Sequence, residues 1–192
     1  MKNLKALKPK TTEVLARPAV TPREIAGAIR NVPDFPQPGI QFKDITPVLA
    51  DARLFAGAID LLVAKWRPGS VDAVVGIDAR GFIFAAAAAT KLNAGFVPVR
   101  KKGKLPFKTI EQDYALEYGL ATVAMHVDAL KPGARVILID DLLATGGTAS
   151  AAAALVKKLG ANILEIAFLI ELKFLNGRKK LNGYPVRSIV AY

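Results

Sequence analysis

Apolar residues recur along this chain with two rhythms, and the change falls near residue 70. Before it, Thr21-Pro22-Arg23-Glu24 followed by Ile25, Ala26 and Ile29 reads as an N-cap, a proline in the first helical position and an amphipathic helix. Residues 51–66 place Leu54, Ala58, Leu61 and Leu62 on one helical face, and Pro68-Gly69 ends that helix. Between the two helices, residues 31–39 contain Pro33, Pro36 and Pro38 and are expected to be irregular. After residue 70 come short continuous apolar runs at 73–77, 95–99, 136–139 and 163–170. Helical patterns at 81–92 and 148–159 separate them, the second closed by Gly160. Continuous apolar strands alternating with helices predict a parallel sheet covered on both faces. Residues 114–127 alternate apolar and polar positions instead, as an antiparallel strand pair or flap does. The expected fold is α/β, with one domain over residues 21–192, an irregular N-terminal hood from about residue 30 to 50, and residues 1–20 as a loosely packed basic extension.

Length and composition narrow the classes. A chain of 192 residues suits one domain with a sizeable core, and 52% hydrophobic residues exclude disorder as its main state. The greasiest stretch, 163–172, carries Glu165 and Glu171 and falls short of the roughly 18 residues of a membrane span. The absence of cysteine excludes disulfides, thiolate metal sites and a cysteine nucleophile. A single histidine, His126, excludes a histidine cluster; it, Trp66, Met125 and Tyr192 are assigned to core or surface.

Charge adds a question. Lys and Arg number 27 against 16 Asp and Glu, a net of +11, which suits nucleic acid, an anionic membrane or a small polyphosphate. The excess is local. Residues 1–17 hold five basic residues and one acid, while 100–108 and 173–187 each hold five basic residues and no acid. The rest of the chain is slightly acidic. The N-terminal run lacks the uninterrupted apolar region of a secretory signal.

In parallel sheets, ligands bind beyond the carboxyl ends of the strands. After the run ending at Ile139 comes DDLLATGGT, then a helix. Gly146 and Gly147 let the backbone turn with its N–H groups inward, and the helix adds its positive end. That is an anion nest suited to a phosphate monoester, with the Thr145 and Thr148 hydroxyls as further donors. No GxxxxGK[ST] or GxGxxG is present. Asp140 and Asp141 would face opposite sides of an extended strand, so shared use of one ligand requires the chain to be turning there. Such a pair can hold vicinal hydroxyls, coordinate magnesium or stabilise a developing cation; an N-cap in a solvated loop is the plain alternative. Arg80 follows the run at 73–77 and can clamp an anion, or form an ion pair with Asp78 in the same turn.

Residues 136–148, VILIDDLLATGGT, resemble the phosphoribosyl-diphosphate signature of type I phosphoribosyltransferases, and the LLATGGT ending is similar to that of members acting on adenine. Five further segments match that family in order: DFPQPGIQFKDITPVL (34–49), GIDARGF (76–82), RKKGKLP (100–106), YALEYG (114–119) and ELKFLNGRKKL (171–181). The likeness covers roughly residues 20–190. It implies a phosphoribosyltransferase-like parallel sheet flanked by helices, with a small hood and a flexible active-site loop. The implied reaction joins adenine to the ribose of phosphoribosyl diphosphate, giving AMP and pyrophosphate.

The resemblance also implies roles. Ala144, Thr145, Gly146, Gly147 and Thr148 hold the 5-phosphate, while Asp140 and Asp141 hold the ribose hydroxyls near the sugar cation. Arg80, Arg100, Lys101 and Lys104 contact pyrophosphate. Glu117 handles the proton at the imidazole nitrogen of the base, and Gln41, Phe42, Lys43 and Leu172 form the base pocket. Magnesium comes bound to the substrate, with no direct protein ligand and with Asp140 and Asp141 nearby. A cytoplasmic homodimer with Arg100 near its interface is implied, without nucleic-acid or membrane partners. Lys173 departs from the pattern, because members acting on 6-oxopurines place a lysine against the base oxygen. Another purine therefore stays open as substrate. So does a nucleic-acid-binding regulator on the same fold, although no additional helix-turn-helix domain is present.

Overall fold

Thr21 begins the first helix as its sequence requires. In the computed structural model, which describes residues 19–116 and 119–192, Thr21 Oγ1 accepts from the Glu24 amide at 3.3 Å and the Glu24 carboxylate accepts from the Thr21 amide at 2.9 Å. This reciprocal cap starts α1 (Pro22–Ala28). β1 (Arg30–Val32) and β2 (Phe42–Asp44) then pair antiparallel, with Asn31 opposite Lys43. The hood is thus irregular only between them. Asn31 and Val32, expected in the irregular stretch, are strand residues, because the prolines that lack an N–H donor all lie beyond them. A short α2 (Thr46–Ala50) leads to α3 (Ala52–Val63), where Asp51 accepts from the amides of Arg53 and Leu54. Arg53 also reaches Glu24 at 2.7 Å and ties α3 to α1.

The remaining elements build the sheet. They are β3 (Ala73–Ile77), α4 (Arg80–Leu92), β4 (Gly95–Lys101), β5 (Thr109–Leu116), β6 (Gly119–His126), β7 (Arg135–Leu143), α5 (Gly147–Lys158), β8 (Asn162–Glu171) and β9 (Val186–Ala191). The strand order is β5-β6-β4-β3-β7-β8-β9. Strands β4, β3, β7, β8 and β9 run parallel, and the β5–β6 hairpin joins β4 antiparallel. One face packs Ile137 and Ile139 against Leu62, Phe84, Ile25 of α1 and the hood residue Ile45. The other packs Leu138 and Phe168 against Leu155 and Val156 of α5. Every residue of β3 is buried, which is why its sequence shows no alternation.

Two strands outrun their apolar cores. β4 continues through Arg100 and Lys101, which pair with Ala124 and Val123 of β6. β7 continues through Asp140 and Asp141 to Leu143, held by pairing with β8 as far as Glu171. Arg100, Lys101 and both aspartates are therefore strand residues, where hydropathy placed them in loops after the strands. Backbone pairing to a neighbouring strand continues whatever the side chains are.

Buried charge accounts for β9, which hydropathy does not mark. Arg187 donates to both oxygens of Glu165 at 3.0 and 2.9 Å, and the Trp66 indole donates to the same carboxylate at 3.1 Å. Arg178 donates to both oxygens of buried Glu171 at 2.7 and 2.6 Å, holding that carboxyl below its usual range. Two of the five cations in the basic run 173–187 thus serve internal ion pairs. Among the described residues no helix is long and apolar enough to cross a membrane. Phe168→Ala, at a fully buried site between β8 and α5, is expected to destabilise the fold by about 3–5 kcal/mol, measured by urea denaturation.

Candidate active site

Parallel pairing of β3 with β7 aligns Gly76 with Ile139, so the segment beyond β3 emerges beside the last residues of β7, Asp140 to Leu143. β3 leads through Asp78-Ala79 into α4, whose first residue is Arg80. β7 leads through residues 144–146 into α5. The N-caps of these two helices are Ala79 and Gly146, and neither has a side-chain cap, unlike those of α1 and α3. No capping side chain occupies their first-turn N–H groups; in α4 the Phe82 amide donates to the Ala79 carbonyl at 3.2 Å.

The phosphate loop takes the shape its glycines suggest. Gly146 has φ +77°, a left-handed conformation that glycine adopts without strain, and it turns the chain into α5. Residues 144–148 and Asp140 line a cavity of about 80 Å³. Thr145 is exposed and Thr148 half-buried, so both are open to a bound anion.

Asp140 and Asp141 converge from within the strand rather than from a turn. Asp140 lines the nest cavity and accepts the Asp141 amide at 2.9 Å. It also lies against Gly81, where a Cβ would overlap Asp140 Oδ1, so α4 can approach this closely only with glycine there. Asp141 is buried, with Oδ2 at 2.8 Å from Arg80 Nε, yet that oxygen accepts no aligned hydrogen bond among the described residues. Burial pushes the Asp140 carboxyl well up, and the Asp141 charge beside it adds to the rise. Burial also raises Asp141, against the opposing pull of Arg80. Two adjacent carboxylates, Asp141 buried and Asp140 half-buried at the edge of the cavity, form a site that a cation stabilises.

Arg80 connects this pair to the hood. Its guanidinium lies 5.1 Å from the ring centroid of Phe42, and Phe42 in turn meets Phe35 edge-on at 5.0 Å. The alternative Arg80–Asp78 pair does not form. Asp78 instead accepts from Arg100 Nε at 2.9 Å, while Arg100 Nη1 donates to the Lys104 carbonyl at 2.9 Å. Arg80, at the start of α4 just beyond β3, and Arg100, near the end of neighbouring β4, are each held by a carboxylate.

Other candidates lie less centrally. Lys101 and Lys104 are exposed, and so is Gln41. The Lys43 ammonium donates to Asn31 Oδ1 at 2.6 Å and sits 3.6 Å over the Tyr192 ring, so of Lys43 only the main chain is available to a base. Leu172 is half-buried beyond β8, and its amide donates to the Leu143 carbonyl at 2.9 Å. Glu117 and Tyr118 lie outside the described residues, as do residues 1–18. Sequence reasoning missed Gly81 and the Asp78–Arg100 pair. A lone glycine in a helical pattern gives no sign that an aspartate will press against it.

Residues 42–189 match the family model of the phosphoribosyl transferase domain, a span running from the hood strand β2 into β9. The chain belongs to the phosphoribosyltransferase family. It is 56% identical over 166 residues to the adenine phosphoribosyltransferase of Acidothermus cellulolyticus, covering 86% of this chain and 94% of that protein. The crystal structure of adenine phosphoribosyltransferase from Rhodothermus marinus superposes with a TM-score of 0.85 at 50% identity, covering 89% of this chain and 98% of that one. The Saccharomyces cerevisiae enzyme, crystallised with an imino-altritol bisphosphate and adenine, gives 0.81 at 39% identity, over 88% of this chain and 97% of that one. The type I phosphoribosyltransferase fold expected from the motifs is the fold observed.

The acidic pair sets a test of sign. A carboxyl whose folded pKa is raised costs folding free energy once it ionises, so the cost is absent below its unfolded pKa and grows as pH rises toward the folded value. Asp140→Asn is accordingly expected to raise the melting temperature at pH 7, with the gain fading near pH 4, in paired thermal melts.

Proposed function

We propose that this member of the family is an adenine phosphoribosyltransferase, transferring the phosphoribosyl group of phosphoribosyl diphosphate to adenine with release of pyrophosphate and formation of AMP. The observation that carries the reading is the meeting, where β3 and β7 give way to helices, of an anion nest, an acidic pair and an arginine reaching to the hood aromatic. Relatives named for adenine at 50–56% identity over most of the chain support the choice of base.

The sugar passes through an oxocarbenium-like state in which positive charge builds at the anomeric carbon while negative charge leaves with pyrophosphate. Residues 144–148 anchor the 5-phosphate with backbone N–H groups and the Thr145 and Thr148 hydroxyls. Asp140 and Asp141 accept from the ribose hydroxyls and stabilise the growing sugar cation, and the burial of Asp141 strengthens that attraction. Arg80 and Arg100, with Lys101 and Lys104, receive the departing pyrophosphate. Arg80 must leave Asp141 at least in part to do so. Phe42 and Leu172 cover the faces of the purine, and main-chain groups of residues 41–43 read its edge. Glu117 holds the proton of the base's imidazole nitrogen. Closure of the segment that carries it excludes water from the reactive diphosphate ester.

The hard oxygen donors of Asp140 and Asp141 fit magnesium, although no group of three or more potential metal ligands exists among the described residues. The ion would therefore arrive largely held by substrate oxygens, where it neutralises diphosphate charge. A cytoplasmic homodimer belongs to the same reading.

Incubation with phosphoribosyl diphosphate, Mg²⁺ and each of adenine, hypoxanthine, guanine and xanthine decides the base. AMP from adenine alone is expected. Product from a 6-oxopurine would shift the assignment and point to Lys173. No product with any base, together with salt-sensitive DNA binding, would replace the enzyme by a regulator. Glu117→Gln is expected to lower kcat by roughly 10²–10⁴-fold with chemistry rate-limiting, read by single-turnover kinetics.

A further inference from the structure

Gly177 stands on no strand end and contributes no donor to the nest, yet its position is among the most constrained in the molecule. Its backbone is not left-handed, so conformation alone does not call for glycine. Contact does. A Cβ at Gly177 would overlap the carbonyl oxygen of Ala144 and approach the Gly146 amide nitrogen to 3.0 Å and Leu143 Cδ1 to 2.9 Å. Reciprocally, a Cβ at Gly146 would overlap the Gly177 carbonyl oxygen. The two glycines thus pack backbone on backbone, and the first half of the phosphate loop rests on residue 177.

The supporting segment is fixed from behind. Gly177 opens a 3-10 turn, Gly177–Leu181, and the next residue, Arg178, grips Glu171 with two hydrogen bonds and donates to the Val186 carbonyl at 2.9 Å. Glu171 lies opposite Leu143 in the β7–β8 ladder, one residue before the loop begins. Leu143 also accepts the Leu172 amide at 2.9 Å. The path Leu143–Glu171–Arg178–Gly177–Ala144 is therefore closed, beginning and ending at the entrance to the nest. The loop cannot tilt toward residue 177 without a backbone collision.

We infer that Gly177, held by the Arg178–Glu171 ion pair, is a positioning residue that fixes the backbone N–H groups of residues 144–148 in the orientation that binds the 5-phosphate. The inference rests on the reading of those residues as the phosphate site. Gly177 touches no substrate and acts only through the loop, so its effect should fall on ligands carrying the ribose phosphate and spare the base.

Gly177→Ala adds a single methyl group and tests this. The expected result is a rise in KM for phosphoribosyl diphosphate and in Kd for ribose 5-phosphate of roughly tenfold to a hundredfold, the range of one lost charge-assisted hydrogen bond. KM for adenine should stay within about twofold and thermal unfolding should stay cooperative, because the only side-chain atom among the methyl's three nearest neighbours is Leu143 Cδ1, the movable end of a leucine. Gly27→Ala, where a Cβ meets nothing within 4 Å, serves as control. Unchanged ribose 5-phosphate affinity in folded G177A would overturn the inference, and so would a parallel rise in KM for both substrates. Should G177A not fold, Arg178→Lys decides by the same selective weakening, since lysine keeps the charge and loses the two-pronged grip. Calorimetry with ribose 5-phosphate needs no turnover. Absence of AMP formation by the wild-type protein would therefore defeat the proposed activity while leaving this positioning role separately testable.

Discussion

Parallel pairing of β3 with β7 is the constraint on which the site depends. The shared register brings the end of β3 beside the last residues of β7, and each strand hands its chain to a helix whose N-cap makes no side-chain hydrogen bond. Electropositive helix ends and orphan amides then face the same space from two directions. Arg80 opens one helix and the nest glycines open the other, so anion-binding groups accumulate there without any of them being near in sequence. The side chains of β3 divide between two cores, Val74 in one and Ala73, Val75 and Ile77 in the other, so a shift of one residue would exchange them between differently packed layers.

Into this positive corner the fold places Asp140 and Asp141, at a cost borne by their raised pKa values. Such a pair adds nothing to stability. It makes sense as a preorganised receptor for positive charge, occupied for now on one side by Arg80. The same arginine lies beside Phe42, so one side chain touches the acidic pair and the hood aromatic at once. The subsites proposed for pyrophosphate and for the base are thereby adjacent.

The basic balance of the chain resolves into different uses. Arg178 and Arg187 neutralise Glu171 and Glu165 inside the fold, Arg135 holds Asp72, and Lys102 pairs with Glu111. Only part of the charge in the runs 100–108 and 173–187 remains for a ligand. A count of cations therefore overstates the electrostatic footprint, since carboxylates brought up by distant strands cancel several of them.

Local chemistry determined a good deal. Thr21-Pro22 and Asp51 fix helix starts through caps within four residues, the apolar runs fix the parallel strands, and Gly146-Gly147 before a helix fixes the nest. Each of these depends on neighbours in the chain, so each is legible in it. What tertiary structure decided depends on pairing between distant segments. The ladders with β6 and β8 carried β4 through Arg100 and β7 through Asp141, where hydropathy ends both strands early. The choice of Asp141 rather than Asp78 as the partner of Arg80 follows from which strand lies alongside β3. The glycine requirements at 81 and 177 arise from backbones arriving from elsewhere in the fold, and a glycine codon carries no mark of the atom that will press against it.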